Sequence, residues 1–123
     1  MPDTPQLPIR VLIVEDDLAA LDVFRDMLEE LGATVATAIS VVEGRVKLAS
    51  FSPTLVITDV YMPGENGLVM RAEVRHWNPL TPVVALTGAD DAAVSPDAGF
   101  FKILRKPVSM ATLEELLASV QGM

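Results

Sequence analysis

The chain contains no cysteine, so disulfides, thiolate catalysis and cysteine-ligated metals are excluded. It also lacks any apolar run approaching the ~20 residues that a membrane-spanning helix needs. The opening MPDTPQLP has neither the basic start nor the apolar core of a signal peptide, and a cytoplasmic protein is expected, with no membrane partner. Cations are scarce: 9 Lys and Arg stand against 17 Asp and Glu, for a formal charge of −8. A phosphate backbone is gripped by clustered Lys and Arg, so direct nucleic-acid binding is not expected. Any partner should bring positive charge, or a metal should. No internal repeat, low-complexity tract or interdomain linker breaks the 123 residues, a length that holds one proper core. The expectation is a flexible segment over 1–8 and a single domain over 9–121.

What is present is an alternation of strand and helix patterns. IRVLIV (9–14) is a short β-branched run. From Leu18 the period changes, and Leu21, Phe24, Met27, Leu28 and Leu31 share one helical face until Gly32 stops it. ATVATA (33–38) is a weaker strand. Ser40 and Glu43 have capping-box spacing and open a second helix running to about residue 50. TLVITD, TPVVALT and FFKILR predict three further strands, with a helix over about 66–76 between the first two. Ser109 should cap a last helix carrying Leu113, Leu116, Leu117 and Val120. GADDAAVSPDAG (88–99) is small, acidic and broken by Pro96, so any helix there is short. Near-continuously apolar strands alternating with helices predict an α/β fold, a parallel sheet covered on both faces.

In such sheets ligands bind beyond the carboxyl ends of the strands. The polar residues at those ends are Glu15, Asp16 and Asp17, then Asp59, Thr87, and Lys106 before Pro107. Neighbouring parallel strands would bring Asp59 beside Glu15 and Asp16, and three carboxylates at one edge repel unless something positive joins them. Mg²⁺ suits such a site, since it takes one or two carboxylates and leaves room for phosphate oxygens. With Lys106 and Thr87 beside it, a carboxylate oxygen could attack phosphorus while charge on the other oxygens is neutralised. The inferred product is an aspartyl phosphate. A nucleotide- or flavin-binding module would instead want a Gly-rich or hydroxyl-rich loop after the first strand, where EDDLAAL places acids.

VLIVEDD, VITDVYMPGENG, ALTG and LRKP, in this order, resemble the receiver domain of two-component response regulators. The resemblance covers about 9–120 and implies a single doubly wound, flavodoxin-like sheet of five strands in the order 2-1-3-4-5, here with a shortened fourth helix. It implies that Asp59 accepts a phosphoryl group from a histidine kinase or histidine phosphotransfer protein. Asp16 would ligate Mg²⁺ directly, Glu15 through water or as a second ligand, and the backbone carbonyl of Tyr61 would complete the set. Thr87 and Lys106 would bind phosphoryl oxygens. Such a protein is a signalling phosphoacceptor, not an enzyme acting on other substrates, and catalyses only its own phosphorylation and dephosphorylation. Asp17 is read as the cap of the first helix, and the lone His76 as a solvated helix-end residue.

Two positions depart from the family pattern. Ile103 stands where an aromatic usually precedes the lysine by three residues. The stretch from Thr87 to Lys106 is also about one helical turn short, with Pro96 inside it. Phosphorylation is therefore expected to act by ordering residues 88–99, with Phe100 and Phe101 as the nearest aromatic substitutes. The altered readout makes a pseudo-receiver, an interaction module that is not phosphorylated, the rival reading. The chain reads either as a stand-alone receiver or as one cut from a longer protein.

Overall fold

A computed structural model describes residues 8–62, 64–88, 91 and 93–122. Of the expected flexible segment 1–8, all but Pro8 lies outside the described residues, as do 89, 90 and 92 of the 88–99 stretch. In chain order the elements are β1 (Arg10–Val14), α1 (Leu18–Glu30), β2 (Thr34–Ala38), α2 (Val41–Phe51), β3 (Leu55–Asp59), β4 (Tyr61–Met62), β5 (Glu65–Asn66), α3 (Gly67–Trp77), β6 (Val83–Thr87), β7 (Lys102–Arg105) and α4 (Met110–Gln121). Five of the strands form one sheet in the order β2-β1-β3-β6-β7, every neighbouring pair parallel. Counting only these five, this is the 2-1-3-4-5 order expected of a flavodoxin-like sheet.

Strand alternation explains how one sheet serves two cores. Val11, Ile13, Leu55, Ile57, Val84 and Leu86 point to one face and pack against α1 and α4 through Phe24, Leu28, Leu113 and Leu116. Leu12, Val14, Val56 and Val83 point to the other and meet Val41, Leu48, Met70 and Val74 of α2 and α3. Burial on both faces is what removes polar residues from the central strands.

Each helix starts on the residue that can cap it. Asp17 accepts from the amides of Ala19 and Ala20, Ser40 from Glu43, Asn66 from Leu68 and Val69, and Ser109 from Thr112. These side chains satisfy amides that have no partner within the helix. Gly32 ends α1 in the left-handed region at φ 95°, which a side chain would resist. Asn66 is the cap of α3 and not its first residue, so that helix sits one residue later than expected.

Two differences from the sequence expectation concern loops. Between β6 and β7 the described residues form no α-helix, only a 3₁₀ turn over Pro96–Ala98, which Ser95 caps by accepting from Asp97 N and which Gly99 closes at φ 91°. Pro96 supplies no amide, so a longer helix cannot run through it from upstream. The Pro/Gly turn after β3 also contains a ladder not foreseen, β4 paired antiparallel with β5.

Gly67 makes the turn back into α3 possible. A Cβ there would lie 2.7 Å from the Asp59 carbonyl oxygen and 2.9 Å from the Val60 Cα, both backbone atoms. Glycine to alanine in a helix ordinarily stabilises by about 1 kcal/mol. Here the clash reverses the sign, and Gly67→Ala is expected to cost about 1–3 kcal/mol, read as a lower urea midpoint. A raised midpoint would show that the α3 entry shifts freely.

Candidate functional site

The strands stop in register, and the ladder continues one residue past them. Glu15 N donates to Ala38 O at 3.0 Å, Val60 N to Leu86 O at 3.0 Å and Lys106 N to Thr87 O at 2.8 Å. Backbone pairing therefore fixes the residues on either side of each strand end, and it brings Glu15, Asp59 and Lys106 to one edge. Their alternation is informative. Glu15 continues the row of Val11 and Ile13, Asp59 that of Leu55 and Ile57, and Lys106 that of Leu104, all rows that face α1 and α4.

Lys106 Nζ lies 2.5 Å from Glu15 Oε1 and 3.2 Å from Asp59 Oδ2. Glu15 is fully buried, Asp59 is 5% exposed, and Asp16 is exposed. Carboxylate oxygens of Glu15, Asp16 and Asp59 all lie within 4.8 Å of one another. Burial first, and then the nearby Asp59, push the Glu15 carboxyl up to about 8, with Lys106 only partly opposing this. Burial alone would lower the Lys106 ammonium, but its hydrogen bonds to, and the charge of, Glu15 and Asp59 outweigh that and raise it. One ammonium is thus shared among more negative charge than it can neutralise, which favours the protonated form of Glu15 while no further cation is present.

The remaining expected residues fall around this centre. Thr87 is 2% exposed at the end of β6, where its hydroxyl donates to Leu104 O at 3.5 Å, a long contact that is weak. By alternation Thr87 belongs with Val83 and Ala85, on the opposite face from Lys106. Tyr61 opens β4, two residues past Asp59. Asp17 caps α1, and exposed His76 lies in the last turn of α3, both as expected. The Lys106–Pro107 peptide bond is cis. Ile103 lies on β7 and is 39% exposed, whereas Phe100 packs against the core on the α2 and α3 side.

Sequence reasoning did not find the Glu15–Lys106 ion pair or the complete burial of Glu15. The signal was present in the period: Glu15 follows Val11 and Ile13 at a spacing of two, so it extends an inward row. Asp91 was also missed; its carboxylate accepts from Gly88 N at 2.5 Å and anchors the loop that leaves β6.

The residues present fit a metal ion. Glu15 Oε2 is buried and has no hydrogen-bond partner among the described residues, and an acceptor in that position costs free energy until a donor or cation reaches it. Three converging carboxylates supply the all-oxygen donors that a hard divalent cation takes.

Fold and site define a doubly wound parallel-sheet protein with an acidic, lysine-bearing pocket at the carboxyl edge. Residues 11–118 match the family described as response regulator receiver domain, and the chain belongs to that family. It is 33% identical over 120 residues to response regulator MprA of Mycobacterium sp. (strain KMS), covering 95% of this chain and 51% of the relative. It is 34% identical over 111 residues to the regulator of RpoS of Escherichia coli (strain K12), covering 85% of this chain and 32% of that protein. The chain thus spans about half the length or less of these curated relatives. Among solved structures it resembles a response regulator receiver domain protein from Clostridium thermocellum, with a TM-score of 0.84 and 30% identity, covering 93% of this chain and 94% of that one. No helix among the described residues is long and apolar enough to cross a membrane.

Proposed function

We propose that this receiver domain takes a phosphoryl group from a histidine kinase or histidine phosphotransfer protein onto Asp59, in the cytoplasm and without contacting nucleic acid itself. The observation that carries this reading is the placement of Asp59, nearly buried at the end of β3, 3.2 Å from Lys106 Nζ and beside two further acids. An Asp59 oxygen attacks phosphorus, the bond from phosphorus to the donor imidazole nitrogen breaks, and the electron pair leaves with that nitrogen. Lys106 turns from Asp59 to a phosphoryl oxygen, and Thr87 exchanges its weak bond to Leu104 O for another. Glu15, Asp16, Asp59 and the Tyr61 carbonyl would hold Mg²⁺, which when bound supplies positive charge to the phosphoryl oxygens. Loss of the phosphoryl group to water would return the domain to its starting state, the only other reaction it catalyses. The pseudo-receiver reading draws no support from a site in which the acceptor, lysine and acids converge. Intact mass after exposure to acetyl phosphate with Mg²⁺ tests the proposal. Gain of one phosphoryl group supports it, and absence of any gain overturns it.

The metal assignment has its own test. Mg²⁺ without phosphate is expected to raise the melting temperature by mass action, and Asp16→Ala to remove that response. Asp16 is exposed, so the variant keeps its fold. A shift that survives in Asp16→Ala would place the ligands elsewhere.

For signalling, phosphorylation is proposed to act by ordering residues 88–99, because exposed Ile103 cannot provide an aromatic switch. Amide exchange with a stable phosphoryl mimic and Mg²⁺ should show the largest gain in protection across this stretch, and Thr87→Ala should abolish it while sparing Mg²⁺ binding. Protection already complete in the unphosphorylated protein would end the ordering proposal.

A further inference from the structure

We infer that a cleft at the opposite, amino-terminal end of β6 is a binding site for a small organic anion. Its walls are Arg71 and Arg75 of α3, the turn through Leu80 and Pro82, and Gly99 with Phe101 before β7, enclosing about 330 Å³. That volume lies at the lower end of the range for small-molecule sites.

In a chain with 9 basic and 17 acidic residues, this cleft is lined by two arginines and no acid. Arg71 and Arg75 stand one helical turn apart, on the same face of α3, where two like charges repel by a few tenths of a kcal/mol. Ion pairs do form on Arg25, Arg45 and Lys106. Neither Arg71 nor Arg75 makes a hydrogen bond or ion pair with any described residue. Arg71 Nε is, moreover, buried without an acceptor. A buried donor in that state costs about 1–3 kcal/mol, and a turn of the guanidinium toward a carboxylate or phosphate oxygen in the cleft would recover it.

The walls are set in advance of any ligand. A Cβ on Gly99 would lie 2.7 Å from Arg71 Nη1, so the guanidinium lies against the backbone where a side chain would stand. The α3–β6 turn is held by Leu80 N donating to Asn78 Oδ1 at 3.0 Å and Thr81 N to Asn78 O at 3.2 Å. Phe101 N donates to Val83 O at 2.8 Å, which fixes the ring's attachment beside the two arginines. Phe101 and Leu80 remain 37% and 84% exposed, large apolar side chains with little of this chain to cover them. Guanidinium forks match carboxylate and phosphate geometry, and the apolar wall suits a ligand with an aromatic or aliphatic body.

The experiment is titration of the ¹⁵N-labelled, metal-free protein with phenyl phosphate, benzoate and neutral benzamide at constant ionic strength, following backbone amides and arginine Nε–H signals. Expected are saturable shifts for both anions at Arg71 Nε, Gly99 and Phe101, with benzamide at least about tenfold weaker. Arg75→Gln, an exposed change that leaves the fold intact, should weaken the anions about tenfold, and Arg71→Gln as much or more. The tighter of the two anions assigns phosphate or carboxylate as the natural headgroup. Equal binding of benzamide, shifts that never saturate, or affinity unchanged in Arg75→Gln would overturn the site. Binding of a Glu-rich peptide with no response to either small anion would overturn the small-ligand assignment.

Discussion

Asp59→Asn is expected to show no phosphoryl mass gain under conditions where the wild-type protein gains one group, with the fold retained. The amide is isosteric and keeps an oxygen toward Lys106 Nζ, which lies 3.2 Å from Asp59 Oδ2 in the native protein. It cannot supply the carboxylate oxygen that attacks phosphorus. The substitution also removes a charge that raises the Glu15 carboxyl, so Glu15 should ionise more readily and the metal-free variant should match or exceed wild type in thermal stability. Two measurements thus move in opposite directions, phosphorylation lost and stability kept. Equal phosphorylation of Asp59→Asn would move the acceptor elsewhere, and an unfolded variant would show that Asp59 is needed structurally.

Lys106→Ala should have the largest effect on stability, and the effect should depend on pH. Glu15 titrates near 8 in the folded protein against 4.5 when solvated. Between those values the folded state holds a proton that the unfolded state has released, so without metal this group makes stability fall as pH rises, by up to about 1.4 kcal/mol per pH unit. Its contribution is most favourable below pH 4.5 and is lost on passing 8. Removing Lys106 strands the ionised form of Glu15, and the cost at pH 8 should be about 2–4 kcal/mol. The low end is favoured because the lysine side chain is 28% exposed and water screens it. At pH 5, where Glu15 is protonated, the cost should be smaller. Mg²⁺ should restore part of the loss at pH 8 by replacing the missing charge. Denaturant midpoints of the two proteins at both pH values, with Glu15→Gln as the variant lacking the slope, check this. An identical cost at pH 5 and pH 8 would remove Glu15 from the account.

By itself, the sequence determined the elements and the chemistry of the edge. Periodicity placed every strand of the main sheet and all four helices to within a residue or two, because strands buried on both faces must be apolar and caps need Asp, Ser or Asn at one position. Asp16, Asp59, Thr87 and Lys106 were legible as polar residues ending apolar runs. What only the tertiary structure decided was which of these groups touch, since contacts depend on strand order and alternation between residues far apart in the chain. Thus Lys106 meets Glu15 across 91 residues, while Thr87, next to it on the neighbouring strand, leans to the other face. The same limit hid the cleft that Arg71 and Arg75 share with residues flanking β6 and β7, far from them in the chain. Local signals in the chain set each element's type, but a charge's neighbours, and with them its protonation, are set by packing.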